Sequence, residues 1–271
     1  LRALLDDEGL PRGAMGAFID ITGLKNAQNV AQAYAEQLAR SNRELEQFAF
    51  TASHDLQEPL RKIKTFGERL ASGHAGSMDE TGQDYLARMI SSAGRMQRMI
   101  AALLDFSRVS SRGLQFEPVD LRAVAGEVIS DLDVSIQQSG GSIELGDLPE
   151  IEADRSQMYR LLQNLLSNAV KFRQKDTPPR VSVSARPGVS PAGREAVEIV
   201  VADNGIGFPM SQAERIFQPF QRLHGRSEYE GSGIGLTLCR KIAERHGGAI
   251  RAESELGQGS RFIVCLPIRQ G

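Results

Sequence analysis

Between residues 25 and about 72, apolar positions recur every seven residues. Leu38, Leu45, Ala52, Pro59 and Phe66 form one stripe, and Phe48, Leu56, Ile63 and Leu70 a second, with one slip between 48 and 56. That period predicts one long helix with a coiled-coil or bundle seam. GHAGS at 73–77 breaks it, and Ser77 with Glu80 reads as a capping box that opens a second helix to about 109. Tyr85, Met89, Ala93, Met96, Ile100 and Leu103 are expected on one face of it. A short loop between two long helices predicts an antiparallel hairpin. One hairpin buries little apolar surface, so two copies are expected to pair into a four-helix bundle.

The pattern differs on either side. Residues 1–22, with LRALL, the turn DDEG and then GAMGAFIDIT, read as a β-hairpin. Two strands alone are marginally stable, so the pair reads as the edge of a larger sheet. After SSRGLQFEPVD, helices are expected at 120–138, 154–173 and 234–246, and strands at 142–145, 180–185, 196–202, 249–254 and 260–267. This irregular alternation predicts an α+β class and a two-layer sandwich. Residues 204–233 are poor in apolar positions and read as a lid or a disordered loop. The boundaries are then 1–24 for the upstream remnant, 25–45 for a coiled-coil helix, 46–112 for the hairpin and 117–269 for the sandwich.

Composition narrows the function. The 271 residues are 41% hydrophobic and 24% charged, which suits packed soluble domains. A net charge of −2 argues against non-specific nucleic-acid binding. Two cysteines, Cys239 and Cys265, make no disulfide framework and fit a reducing, cytoplasmic setting. No apolar run approaches the roughly 18 residues of a membrane span, so no membrane contact is expected within this stretch. The start at Leu1, in mid-pattern, reads as a fragment whose sensor lies upstream.

Three stretches carry candidate chemistry. In MYRLLQNLLSNAVKFR, Asn164, Asn168 and Lys171 fall at i, i+4 and i+7 on one helix face, with Leu161, Leu162, Leu165 and Leu166 opposite. The polar stripe is either a solvated face or a place where amide oxygen meets Mg²⁺ and ammonium meets phosphate. In VEIVVADNGIGF, a strand ends at Asp203, and Asn204-Gly205 is either a turn or the approach to a ligand. There the Asp203 carboxylate can accept from a purine amino group, and Gly205 and Gly207 let backbone come close. In EGSGIGLTLCRKIAERHGG, Gly231, Gly233 and Gly235 lead into a helix, whose free N–H groups suit phosphate. The spacing is neither a Walker A loop nor a dinucleotide fingerprint, and the motifs of Ser/Thr/Tyr kinases are absent.

In this order the three stretches resemble the N, G1 and G2 boxes of the GHKL (Bergerat) ATP-binding fold. IFQPF, with Phe217 and Phe220, resembles the F box in the lid of sensor histidine kinases, and SHDLQEPL at 53–60 resembles their H box on a dimerisation and phosphotransfer hairpin. FQRLHGRSEYEGSGIGL is similar to the phytochrome-like branch, and GAFIDIT resembles the last strand of a PAS sensor domain. The resemblance implies ATP and Mg²⁺ as ligands. Asn168 would hold the metal with Asn164 assisting, Lys171 would meet phosphates, Phe172 would line the base pocket and Asp203 would read the adenine amino group. Gly205, Gly207, Phe217 and Phe220 would complete the pocket and lid. Gly231, Ser232, Gly233, Gly235 and Leu236 would form its phosphate end. Arg222 and Arg226 read either as γ-phosphate contacts or as solvated lid charges.

Related ATPases such as gyrase and Hsp90 carry a glutamate where this chain has Asn164, as base for the attacking water. The amide implies slow hydrolysis and ATP held for another nucleophile. His54 is that nucleophile by resemblance, with Asp55 as its proton acceptor. In sequence His54 lies two residues, about 200°, from the seam positions Ala52 and Leu56, so it is expected to face outward. The implied protein is a homodimer that autophosphorylates on His54, passes phosphate to a response-regulator aspartate and answers to an upstream sensor. Glu58 departs from the Thr or Asn usual four residues after the histidine, which implies weak phosphatase activity. Pro59 lacks the N–H that would bond the Asp55 carbonyl and is expected to loosen the helix. His74, His224 and His246 read as loop, lid and helix-end residues. A GHKL ATPase or switch and a non-catalytic scaffold are the other readings.

Overall fold

The computed structural model describes residues 2–5, 7–8, 11–15, 22–73, 75–111, 113–223, 229 and 232–270. In the two N-terminal strands, much of 24–52, Ala75, and His54, Arg108, Ser110 and Ser111, it describes backbone alone. The chain divides into two compact units, 1–47 and 48–271.

In the first unit, β1 (Arg2–Leu5) pairs antiparallel with β2 (Pro11–Met15), Arg2 opposite Met15, and the long helix α1 (Thr22–Gly73) begins. The hairpin expected from the sequence is present. Residues 16–21, which hold most of the PAS-like stretch, lie outside the described residues.

The second unit opens with the rest of α1 and with α2 (Glu80–Ser111). Leu60, Leu86 and Ala93 are buried. Gly67 lets the helices approach, since a Cβ there would stand 2.7 Å from Ile90 Cγ1 and 3.7 Å from Leu86 Cδ1. α1 runs unbroken through Pro59. Leu56, Ile63, Phe66 and Leu70 of the expected seam are exposed in the single chain. The face expected on α2 divides in two. Ala93 is buried and Ile100 half-buried, whereas Tyr85, Met89, Met96 and Leu103 are exposed together with Met99. The cap also differs. Asp79, not Ser77, closes the start of α2, its Oδ1 accepting from the Gly82 N–H at 2.8 Å, because residues 75–77 form a separate 3₁₀ turn.

The sandwich follows as β3 (Glu117–Asp120), α3 (Leu121–Ser139), β4 (Ser142–Leu145), β5 (Glu150–Ala153), α4 (Arg155–Lys171), β6 (Arg180–Val189), β7 (Glu195–Asp203), α5 (Gly235–Arg245), β8 (Ala249–Glu255) and β9 (Gly259–Pro267). Five strands form one sheet in the order β4-β6-β7-β9-β8, antiparallel except for the β4/β6 pair. The strands β3 and β5, which the sequence pattern did not announce, form a second antiparallel pair. Helices α3 and α4 begin at side-chain caps, Asp120 and Asp154, that accept from backbone N–H groups. The apolar side of α4 packs into the core with Val183, Val201 and Val264 of the sheet, and Val109 of α2 enters the same core. His246, read as a helix-end residue, does close α5, but it is fully buried. Its Nε2 accepts from the Asp154 N–H at 3.1 Å and its Nδ1 donates to the Ile242 carbonyl at 2.8 Å. Burial holds its pKa below the usual imidazole value. Among the described residues no helix is long and apolar enough to cross a membrane.

Candidate active site

A cavity of about 390 Å³ lies between α4, the start of α5, the end of β7 with its following loop, and the lid segment. Asn164, Asn168 and Lys171 line it from one face of α4, because Leu161, Leu162, Leu165 and Leu166 are buried on the other. Asn164 donates through Nδ2 to the Arg160 carbonyl at 2.8 Å, which leaves its amide oxygen toward α5. A Cβ at Gly235 would fall 2.5 Å from that oxygen, so any larger residue there would displace the Asn164 amide. No side chain caps the helix start at Ile234. Ser232, Gly233, Gly235 and Leu236 all line the cavity at this end.

Asp203 sits at the far end, half-buried where β7 stops. Its Oδ1 accepts from the backbone N–H of Gly205 at 2.8 Å and of Ser260 at 3.2 Å. Nothing among the described residues donates to Oδ2. Burial raises the pKa of this carboxyl, and the two N–H groups oppose that rise in part. The adjacent glycines serve the fold more than the cavity. A Cβ at Gly205 would lie 2.4 Å from the Phe172 carbonyl oxygen, and Gly205 does not line the cavity. Gly207 does line it, yet its φ of 61° and its closeness to the Glu255 carbonyl, 2.0 Å from a built Cβ, are what demand glycine.

Phe172 lines the wall, with Lys171 Nζ 4.2 Å from its ring centroid. The Tyr229 ring is 5.0 Å from that of Phe172, and its hydroxyl donates to the Arg173 carbonyl at 3.1 Å. Arg222 donates to the Tyr229 carbonyl. The lid is thereby stapled to the end of α4. Sequence reasoning missed Tyr229, for which an isolated tyrosine in a polar loop gave no signal.

Phe217 and Phe220 do not line the cavity. Phe217 is buried beneath the Arg240 guanidinium, 4.4 Å from the ring centroid. Phe220 is half-exposed with φ 62°, and its N–H donates to the Gly233 carbonyl at 3.0 Å. The pair shapes the base of the lid. Arg222 does line the cavity, while Gly231, Arg226, His74 and His224 lie outside the described residues. His54 is placed in α1 by its backbone, with its side chain outside the described residues; Asp55 is exposed beside it. Arg98 of α2 also lines the cavity, a contribution from the hairpin that no local pattern announces. A carboxylate at one end, amides and cations at the other and an aromatic wall between suit a purine nucleotide with a polyphosphate.

Residues 44–112 match the His Kinase A (phospho-acceptor) domain, and residues 153–270 match the histidine kinase-, DNA gyrase B- and HSP90-like ATPase family. The chain is 37% identical over 245 residues to the phytochrome-like protein Cph1 of Synechocystis sp., covering 90% of this chain and 32% of that protein. It is 35% identical over 249 residues to cyanobacterial phytochrome A of Nostoc sp., covering 90% and 31%. The chain thus spans about a third of the length of these relatives. Full-length ShkA in complex with AMPPNP matches with a TM-score of 0.61 at 24% identity, over 83% of this chain and 46% of that one. ThkA in complex with the response regulator protein TrrA matches with a TM-score of 0.56 at 21% identity, over 98% and 73%. At those identities the likeness shows the fold: a helical hairpin followed by an α/β ATP-binding domain. With both domains present in this order and with phytochromes among its relatives, the chain belongs to the histidine kinases and, within them, to the phytochrome-like branch.

Proposed function

We propose that this chain is the kinase core of a sensor histidine kinase, which phosphorylates its own His54 from ATP and passes the phosphoryl group to an aspartate of a response-regulator receiver. The observation that carries this reading is the convergence of Asn168, Lys171 and Asp203 on one cavity with an amide, not a carboxylate, at position 164. Asn164 cannot take a proton from water, so ATP waits for a better nucleophile.

Asp203 Oδ2 accepts from the adenine amino group, Phe172 packs on the base, and Lys171 meets the phosphates. Among the described residues no three His, Cys, Asp or Glu cluster as a metal cage. The amide oxygens of Asn168 and Asn164 nonetheless fit Mg²⁺, which favours a few oxygen ligands shared with substrate phosphates. When bound, the ion neutralises charge on the transferring phosphate. The neutral His54 imidazole attacks the γ-phosphorus in line, the bond to the β–γ bridging oxygen breaks, and ADP leaves. Asp55 takes the proton from the other ring nitrogen, a positioned base being worth about 10²- to 10⁴-fold. The phosphoryl group then moves from the imidazole to a receiver carboxylate. The ThkA complex with its response regulator supports that last step, and the His Kinase A domain supports a homodimer. An upstream, PAS-like sensor and a cytoplasmic site complete the reading.

The test is incubation with γ-labelled ATP and Mg²⁺. Acid-labile, alkali-stable label is expected on the chain and is lost in His54→Gln. Label retained in that variant removes His54 as the acceptor.

A further inference from the structure

The second helix of the hairpin turns a third face to the ATP-binding domain. Arg98, Ala102, Asp105 and Val109 stand at i, i+4, i+7 and i+11, one stripe of α2. Val109 is buried in the sandwich core. Asp105 Oδ1 pairs with Arg160 Nη1 of α4 at 2.8 Å. Ala102 and Asp105 border a cleft of about 530 Å³ between α2 and the two helices α4 and α5. That cleft shares Asn164, Ser232 and Gly235 with the nucleotide cavity, so the two spaces adjoin. At the cavity end of the stripe stands Arg98. Its Nη1 lies 3.9 Å from where a Cβ at Gly94 would be, an ordinary van der Waals distance that places the guanidinium back along α2 over the preceding turn.

Charge gives this arrangement meaning. The described cations lining the cavity are Lys171 and Arg222 from the ATP-binding domain and Arg98 from the hairpin, and the one acid is Asp203 at the base-reading end. An arginine presents a planar fork of donors that matches phosphate oxygens. Gly67 packs on Leu86 and Ile90. Equal steps back along the two helices bring Arg98 within about one and a half turns of the level of position 54.

We propose that Arg98 is a nucleotide-phosphate ligand supplied by the hairpin, held in place by the Asp105–Arg160 ion pair. This rests on the reading of the cavity as an ATP site. Nucleotide is then gripped by both domains at once, and loading it favours the docked arrangement of α2 on α4 and α5. Arg98 binds the polyphosphate; Asp105 and Arg160 are positioning residues.

The test titrates the whole chain, with Mg²⁺, against a non-hydrolysable ATP analogue and against adenosine as competitor. Arg98→Ala is expected to weaken the analogue about ten-fold, the scale of one hydrogen bond to a charged group, with adenosine within two-fold of the parent. Arg98→Lys recovers part of the loss. Asp105→Asn weakens the analogue less than Arg98→Ala does, again sparing adenosine. Analogue affinity unchanged in Arg98→Ala overturns the proposal, and so does an equal loss for adenosine with the circular dichroism intact. A parent chain that binds the analogue yet leaves His54 unlabelled refutes the kinase reading and leaves the Arg98 comparison standing.

Discussion

Asp203 sets folding against the proposed function in a single side chain. Its carboxyl is pushed up by burial, and among the described residues only one of its oxygens is paired. A carboxyl whose folded pKa exceeds its unfolded value holds its proton better in the folded state. Its ionisation above the unfolded pKa therefore opposes folding, and at neutral pH that opposition is present. Asp203→Asn keeps an oxygen for the Gly205 and Ser260 N–H groups while removing the charge. We expect a melting temperature equal to or above that of the parent, with nucleotide affinity lowered about 10- to 100-fold as an amide N–H₂ faces the adenine amino group. A lower melting temperature with full affinity would contradict this. The place of Asp203 at the cavity was legible from a carboxylate at the end of an apolar strand. The duties of Gly205 and Gly207 were not, because the carbonyls they accommodate, of Phe172 and Glu255, are remote in sequence or brought near only by the β8–β9 hairpin. The burial of His246 was hidden for the same reason, its partner N–H belonging to Asp154.

Among elements, the hairpin was legible as two helices but not in its facing. Periodicity marks which positions are apolar, and it cannot distinguish a side packed on the neighbouring helix from one left for another chain. Hence Ala93 and the exposed Met89 were placed together. Gly67 is the residue that fixes the internal contact. Gly67→Leu is expected to overpack against Ile90 and cost about 1–3 kcal/mol in chemical denaturation, since Cγ1 of a β-branched side chain cannot swing clear. A denaturation midpoint unchanged in this variant would show that the helices part freely there. In the sandwich, α3, α4 and α5 fell close to their expected bounds, as caps and apolar stripes are local signals. The strands β3 and β5 were missed because EPVD and EIEA are short and charged, and each becomes a strand only by pairing with the other. β6 runs past its expected end at 185 to Val189, through Pro187 and Gly188, because β7 supplies the ladder.

At the scale of the whole molecule, the exposed stripe of Leu56, Ile63, Phe66 and Leu70 matters most. In the single chain Phe66 is 59% exposed, an arrangement that a second copy, as proposed, would resolve by covering it. Phe66→Glu places a charge in that seam, and sedimentation is expected to show a monomer where the parent is a dimer. A dimer of unchanged affinity would move the interface elsewhere.

Helix α2 has Leu86, Ile90 and Ala93 toward α1, Arg98, Asp105 and Val109 toward the ATP-binding domain, and Tyr85, Met89 and Met96 bare. By helical phase the three faces lie between about 90° and 160° apart. Such a rod works like a camshaft. Any torque applied at one face is felt at the other two, and a rotation too small to break a backbone hydrogen bond still withdraws a guanidinium from one side while it loosens a ridge from another. On the proposed reading of Arg98, a twist applied to the hairpin would reach the nucleotide's phosphates through α2, with no need to travel through the sheet.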